Sequence, residues 1–440
     1  MTDRRGRLFG TDGVRGVAGE FLTAELALSL GRAAAEVSPA DTPQVLVVRD
    51  TRESGEMLET ALAAGVAEAG GHALLGGVLP TPGAALLVRR HGFDLAAVIS
   101  ASHNPYRDNG IKFFGPDGTK LSDEDEAHTE RALAAPAPAA TIGRVRALHG
   151  AGGDYLRELG SRFASLDLSG LRVLLDCAHG ATHLAAPEIF RRLGASVEAI
   201  GTAPDGRNIN HGCGSTHLDA LAERMGEGGF DVGFAFDGDG DRVLAVDAAG
   251  EIVDGDELIA LAALHLRAAG RLRGDGVAVT VMTNYGFHQA MEAAGVKVAT
   301  TPVGDRHVLA ELLARGWTLG GEQSGHIIDT DFVPSGDGIA SALLTLQALG
   351  GRDLRERDAM HKLPQRLVNV RVADRDALGS ATAVWEAVER ESEDLSGRGR
   401  VLVRPSGTEP LVRVMVEAPE ETECEAVVGR LVTAVERELG

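Results

Sequence analysis

Only three cysteines occur in the 440 residues, Cys177, Cys213 and Cys424, and none forms a CxxC pair. A disulfide framework and a cysteine zinc site are therefore excluded as organising features, and three buried thiols in a reducing cytoplasm are expected. Lysine is nearly as scarce: Lys112, Lys120, Lys297 and Lys362 are all there are, and none precedes Ser or Thr. That excludes a Walker-type P-loop, whose lysine is followed by a hydroxyl residue. No uninterrupted apolar stretch reaches about 18 residues, so no membrane span is expected. The opening MTDRRGRLFG has no apolar core, so no signal peptide is expected there. Runs of five or more basic residues are also lacking. With 43 basic against 64 acidic residues and a net charge of -21, nucleic acid and anionic membrane are disfavoured as partners.

What is present is a folded-protein composition, 44% apolar, in a chain long enough for two to four domains of roughly 100–200 residues. Strand-length apolar runs, such as VLVV at 45–48, VLLD at 173–176 and VAVTV at 277–281, are each followed by a polar turn and a helix-period segment. That alternation predicts α/β domains with largely parallel sheets. Three segments share the pattern strand, polar turn, helix, glycine, strand, Thr and Pro: 45–83 with the turn RDTRESG, 172–206 with DCAHGAT, and 277–306 with TNYG. Their domain-scale spacing predicts three related α/β domains. ALAAPAPAAT at 132–141 reads as an Ala/Pro-rich connection. Further boundaries are expected near Asp254, after the apparent hairpin RVLAVDAAGEIV, and near Pro364. Beyond 364 the order strand, helix, two strands around a loop, helix predicts a smaller α+β domain. The expected division is 1–152, 153–254, 255–364 and 365–440.

Four segments carry chemistry. In ISASHNPYRDNGIKFF (99–114) a strand runs into a loop with Ser102 at its tip and Lys112 ten residues on. A serine at a strand's carboxyl end lies where α/β domains bind ligands; alone, the segment is equally an Asn-Pro turn. In FAFDGDGDRVLAV (234–246) Asp237, Asp239 and Asp241 alternate with glycines, so their oxygens can converge on a hard cation such as Mg²⁺ or Ca²⁺. An EF-hand needs Gly at its sixth position and Glu at its twelfth, and those are Arg242 and Ala248. Arg242 is placed to hold a phosphate. In GGEQSGHII (320–328) Glu322 and Ser324 suit sugar hydroxyls and His326 suits proton movement. In VRPSGTEPLVRV (403–414) Arg404, Ser406, Gly407 and Thr408 form a candidate phosphate cradle, with Arg413 nearby. FGTDGVRG (9–16) adds Arg15 as an anion-binding candidate, and VGDRHV (303–308) adds Arg306 and His307.

Together FGTDGVRG, ASHNP, DGDGDR, GEQSGH and RPSGTEP, in this order and at this spacing, resemble the α-D-phosphohexomutase family over nearly the whole chain. The resemblance implies three similar α/β/α domains with mixed sheets plus a smaller α+β C-terminal domain, arranged around a central cleft. It implies that Ser102, not Ser100, is carried as a phosphoserine, and that its phosphate and Asp237, Asp239 and Asp241 bind one Mg²⁺. Arg15, Lys112 and His326 would assist proton transfer or charge stabilisation. Arg242, Arg306, Glu322, Ser324 and the 404–413 residues would bind substrate. A sugar 1,6-bisphosphate serves as intermediate or primer, a kinase being the other route to priming, and relatives are often homodimers. The partner is a small sugar phosphate, with no nucleic acid and no membrane. Gln323 stands where relatives acting on mannose or glucose phosphates usually carry Met or Glu. That loop, with RPSGTEPLVRVMVE, implies interconversion of glucosamine 6-phosphate and glucosamine 1-phosphate, feeding UDP-N-acetylglucosamine. A mannose or glucose phosphate mutase is the alternative, and a non-catalytic Ca²⁺-binding or sugar-phosphate-sensing protein is the alternative of another class.

Overall fold

The computed structural model describes residues 7–10, 12–135, 141–406 and 409–440. Gly407 and Thr408, and positions 136–140 of the Ala/Pro-rich connection, lie outside them. The chain divides into two compact units, Met1–Val281 with Ala299–Arg357, and Met282–Val298 with Asp358–Gly440.

In the first unit, six strands form one sheet: β1 (Val14–Val17), β2 (Gln44–Arg49), β3 (His72–Val78), β4 (Leu95–Ile99), β5 (Asp108–Phe114) and β6 (Arg144–Ala147), in the order β1-β5-β4-β2-β3-β6. The second sheet holds β7 (Arg172–Asp176), β8 (Ser196–Ile200), β9 (Val232–Phe236), β10 (Val243–Asp247) and β11 (Ile252–Val253), ordered β11-β10-β9-β7-β8. The third holds β12 (Gly276–Thr280), β13 (Lys297–Thr301), β14 (Leu319–Gly321) and β15 (Ile327–Asp329), ordered β13-β12-β14-β15.

The three strand–helix–strand repeats are present as βαβ segments. β2 and β3 flank the helix Gly55–Glu68, β7 and β8 the helix Ala185–Arg192, and β12 and β13 the helix Tyr285–Ala293. The sheets are mixed rather than largely parallel. β4 pairs with β2 in parallel but with β5 antiparallel, and β9 pairs with β7 in parallel but with β10 antiparallel. The reversals fall where short polar loops, 100–107 and 237–242, return the chain directly instead of through a crossover helix, and a loop that short permits only antiparallel pairing. Those two loops are the serine and aspartate segments.

β4 and β9 are buried at all five positions, as central strands covered on both faces require. Around the first sheet, Leu30, Leu58 and Leu62 from two helices close over Val45, Val47, Ala97 and Ile99. Each such side chain contributes about 1.5–3 kcal/mol of burial, which makes a stiff base for the loops at the strand ends.

The second unit carries the antiparallel sheet β16 (Gln365–Arg371), β17 (Arg400–Pro405) and β18 (Leu411–Glu417), ordered β16-β18-β17. Val412, Val414 and Val416 of the central strand pack with Val384 of the helix Thr382–Asp394 and with Val427, Leu431 and Val435 of the helix Glu421–Leu439. This is the α+β tail expected after 364. Among the described residues no helix is long and apolar enough to cross a membrane.

Candidate active site

Ser102 follows the carboxyl end of β4 in a left-handed backbone conformation, φ 52°. That conformation costs a non-glycine residue on the order of 1–3 kcal/mol and persists only where surrounding contacts impose it. Here those contacts are a buried pair that the polar turn RDTRESG supplies. Arg52, 1% exposed, donates through Nε to Asp50 at 2.9 Å, and through its terminal nitrogens to the carbonyls of Ser102 (2.8 Å), Asn104 (2.9 Å) and Pro105 (2.6 Å). Ser100 completes the support: its hydroxyl donates to Asp50 at 2.5 Å and accepts the Ser102 N–H at 2.9 Å. Burial pushes the Asp50 carboxyl above its ordinary range despite Arg52 and Ser100. The Ser102 hydroxyl points away from this scaffold and donates to Asp237 at 2.5 Å.

β1 and β5 bring two cations beside it. Arg15 sits opposite Gly110 on β5, where a Cβ would lie 2.9 Å from the Arg15 Cγ and 2.6 Å from the Ser100 carbonyl. Only glycine lets the arginine strand and the serine strand approach this closely. Lys112, two residues further along β5 and opposite Val98 on β4, is 1% exposed.

The acidic loop joins β9 to β10. Asp237, Asp239 and Asp241 are all buried, with carboxylate oxygens within 4.8 Å of one another. Burial, then repulsion from Asp241 and Asp239, pushes Asp237 well above the ordinary carboxylate range. Asp239 is held below it, since Lys112 at 2.9 Å and the Thr81 hydroxyl at 2.6 Å outweigh its burial. Asp239 Oδ1 and Asp241 Oδ1 are buried and accept no hydrogen bond among the described groups. Unfilled hard oxygens converging between repelling carboxylates are the donor set a Mg²⁺ or Ca²⁺ ion takes. The residues fit a divalent cation.

A chain of alternating charges runs from this cluster. Lys112 lies 3.3 Å from Asp12, which also pairs with Arg15 and Lys120. Lys120 pairs in turn with Asp305 at 2.6 Å. Burial opposes ionisation of Asp12, but Lys112, Lys120 and Arg15 hold it well below the usual range. His326 ends the chain, 3% exposed, with Nδ1 3.6 Å from Asp241 and Nε2 3.7 Å from Asp305. Burial disfavours its imidazolium, while Asp241 and Asp305 favour it and prevail. The Gly336 N–H donates to Nε2 at 3.0 Å, however, and a nitrogen that accepts has no proton of its own. While Nε2 accepts that bond, a proton on the ring lies on Nδ1, the nitrogen 3.6 Å from Asp241.

The structure brings Ser102, Asp237, Asp239, Asp241, Lys112, Arg15 and His326 into one connected cluster. Arg242 joins it: its N–H donates to Asp237 at 3.1 Å and its Nε lies 3.8 Å from Asp241. Glu322, in the loop between β14 and β15, accepts the Gly304 N–H at 2.9 Å and is close enough to help hold Arg242 protonated. Ser324 is exposed in the same loop. Gln323 is turned to Asp254, donating at 3.1 Å to the residue that caps the helix Gly255–Ala268. Arg306 pairs with Asp123 and Glu126 of the helix Asp123–Ala134, and His307 is exposed. Asp12, Asp50, Arg52, Thr81, Lys120 and Asp305 were missed as site residues, although the turn RDTRESG, the Thr-Pro ending and the segments FGTDGVRG and VGDRHV contain five of them.

In the second unit, Arg404 on β17 faces Arg413 on β18 in register. Burial, then the Arg413 charge, lowers the Arg404 pKa, and Arg413 Nε is buried without a hydrogen-bond partner among the described groups. Two adjacent guanidiniums with no carboxylate paired to either among the described residues suit an anion. Arg375, also missed, donates to the Ser406 and Glu409 carbonyls at 2.8 and 3.2 Å and so anchors both ends of the loop.

All four domains of phosphoglucomutase/phosphomannomutase match the chain: the alpha/beta/alpha domain I at residues 6–138, domain II at 153–250, domain III at 254–367 and the C-terminal domain at 367–434. The phosphoglucosamine mutase of Geobacillus kaustophilus is 49% identical over 446 residues, covering 99% of both chains. That of Desulforudis audaxviator is 51% identical over 441 residues, covering 98% of both. The crystal structure of a phosphoglucomutase/phosphomannomutase family protein from Burkholderia thailandensis superposes with a TM-score of 0.84 at 24% identity, covering 98% of this chain and 97% of that one. The N-acetylphosphoglucosamine mutase of Aspergillus fumigatus, solved with GlcNAc-6P and magnesium, superposes with a TM-score of 0.67 at 18% identity, covering 98% of this chain and 96% of that one. With all four of its domains matched in order along the chain, the protein belongs to the phosphoglucomutase/phosphomannomutase family.

Proposed function

We propose that the chain is a phosphoglucosamine mutase, an isomerase that interconverts glucosamine 6-phosphate and glucosamine 1-phosphate through a phosphoryl group carried on Ser102. Relatives of that name match it at 49% and 51% identity over 99% and 98% of their length. The single observation that carries the reading is the Ser102 hydroxyl, 2.5 Å from Asp237 in a cluster of three converging carboxylates. A serine oxygen beside a hard-cation site is suited to phosphoryl transfer, where catalysis is positioning and charge neutralisation.

In this reading phospho-Ser102 gives its phosphoryl to a free hydroxyl of the bound sugar phosphate. The bond between phosphorus and the serine oxygen breaks, a bond to the sugar oxygen forms, and the hydroxyl proton leaves to a nearby base. The resulting 1,6-bisphosphate turns over, and its other phosphoryl returns to Ser102. Mg²⁺ held by Asp237, Asp239, Asp241 and the serine phosphate would neutralise charge on the transferring group. Lys112 and Arg15 add positive charge from β5 and β1. His326, 3.6 Å from Asp241 and 3.7 Å from Asp305, is assigned to proton transfer or charge stabilisation beside the cluster. Arg242 and Arg306 are assigned to the substrate's phosphates and Glu322 and Ser324 to its hydroxyls, with Glu322 also opposite the cationic amine. Arg404, Ser406, Gly407, Thr408 and Arg413 are assigned to the phosphate that is not being transferred.

The same proposal takes the domains as 1–152, 153–254, 255–364 and 365–440, a cytoplasmic setting consistent with three free cysteines, and priming by a sugar bisphosphate or a kinase. The test is kcat/KM for glucosamine 6-phosphate against mannose 6-phosphate, with Mg²⁺ and a trace of bisphosphate. A clear preference for glucosamine is expected. A preference for mannose replaces the substrate, and no turnover of either defeats the reading.

A further inference from the structure

Five non-glycine residues among those described have a positive φ: Ser102, Ala178, His179, Asn210 and Asp275. The first four sit in three loops that meet at one point. Asn210 is the junction. Its N–H donates to the Ala178 carbonyl at 2.9 Å, which fixes it to the loop after β7. Its side-chain amide, 7% exposed, donates to the carbonyl of Ser102 at 2.9 Å and to that of Asn104 at 3.1 Å. The acidic loop is a fourth that meets them. A Cβ placed on Gly238, between Asp237 and Asp239, would lie 2.6 Å from the Ser102 carbonyl and 2.7 Å from the Asn210 amide nitrogen. The bare Gly238 backbone therefore rests directly on the Asn210–Ser102 contact.

Arg52 holds the same two carbonyls from the β2 side, but it belongs to the serine's own sheet. Asn210 comes from the connection after β8, an edge strand of the sheet whose strand β9 leads into the aspartate loop. It alone of these two donors ties the serine loop to the aspartate sheet. An asparagine suits the place because it adopts the left-handed conformation at little cost and still offers two N–H donors.

We infer that Asn210 is a positioning residue that sets the distance between the Ser102 oxygen and the aspartate cluster. Its amide donates to main-chain carbonyls rather than to the reacting oxygen or the carboxylates, so it acts through the Ser102 main chain. The inference rests on the phosphoryl-transfer reading above. It predicts that kcat, which depends on that alignment, suffers when the amide is lost, while the sugar-binding groups are untouched.

Two variants test it in the full-length protein. Asn210→Asp keeps the shape but replaces the donor with an acceptor facing two carbonyls. Asn210→Gly keeps the left-handed backbone and removes the amide altogether. The measurements are kcat and KM for glucosamine 6-phosphate at saturating Mg²⁺, and amide hydrogen exchange at 101–106 compared with the helix Gly55–Glu68. Both variants are expected to lose about 10- to 100-fold in kcat, keep KM within about threefold, and exchange faster at 101–106 only. A smaller loss in Asn210→Gly, or exchange that rises equally in the helix, overturns the inference. A wild-type protein inert on every hexose phosphate would defeat the functional reading instead, and the exchange result would still judge Asn210.

Discussion

Replacing Arg52 with methionine tests whether the serine loop is held by a buried ion pair. Arg52 and Asp50 are both fully inaccessible at their side chains, 2.9 Å apart. Removing one partner of such a pair leaves an uncompensated buried charge and costs about 3–5 kcal/mol. Three carbonyls, of Ser102, Asn104 and Pro105, lose a donor as well, although Asn210 still serves two of them. At about 2–4 °C per kcal/mol for a domain of this size, the melting temperature of the first sheet should fall by about 6–20 °C. The loss should also depend on pH. Burial already raises the Asp50 pKa with Arg52 present, and without Arg52 it must rise further. A carboxyl raised above its unfolded value contributes stability below the ordinary carboxylate range, and that contribution disappears as pH rises through the folded value. The Arg52→Met deficit should therefore be small in mild acid and grow toward neutral and alkaline pH. Adding Asp50→Asn removes the stranded charge and should recover part of the loss. Thermal melting by circular dichroism, with hydrogen exchange locating the transition in β2 and β4, measures all of this. A shift below about 2 °C, a deficit that shrinks as pH rises, or a double variant worse than the single would refute the reasoning.

Asp337 offers a second pH-dependent term: burial raises its pKa to about 7, against the Ala340 N–H and the Tyr155 hydroxyl that favour its charge. Its contribution should be complete below about pH 4 and lost as pH rises to about 7, so Asp337→Asn should flatten the fall in melting temperature across that window; an unchanged slope counts against it. Thr81→Val removes the 2.6 Å hydrogen bond to Asp239 and should raise the half-saturating Mg²⁺ about 10- to 100-fold, with Thr81→Ser retaining most of the affinity; equal Mg²⁺ titrations for all three proteins would sink this. Gln323→Met should loosen the N-terminus of the helix Gly255–Ala268 by about 1 kcal/mol, as seen in hydrogen exchange, because Gln323 supports the capping residue Asp254. A tenfold or larger change in the glucosamine-to-mannose preference in that variant would instead make its side chain a direct reader of the sugar.

The loops that carry chemistry were legible because each packs its signal into a few adjacent letters. Alternating Asp and Gly in DGDGD announce converging oxygens whatever surrounds them. Other strands were legible as apolar runs: VLLD at 173–176 lies within β7, and VAVTV at 277–281 overlaps β12. Sheet direction was harder to read. Pairing depends on where the chain turns, and an apolar strand such as β4 reads the same whether its neighbour runs with it or against it. The supporting residues were harder still. Arg52 and Asp12 act through partners 50 to 108 residues away, and a lone Arg or Asp in a polar turn does not name a partner at that distance. Gln323 illustrates the opposite limit. Its letter was informative, but its side chain is directed to a helix cap, which no one-letter comparison could reveal.

The most direct test of the central claim follows the phosphoryl group itself. The phosphorylated full-length protein is mixed with glucosamine 6-phosphate and Mg²⁺, quenched at intervals, and its intact mass is read alongside the sugar products. One phosphoryl group should be present at the start, should pass to a sugar bisphosphate, and should return as glucosamine 1-phosphate appears, while Ser102→Ala carries none and does not turn over. A phosphoryl group that never leaves the protein during turnover, or a Ser102→Ala protein with wild-type kcat, would contradict the account.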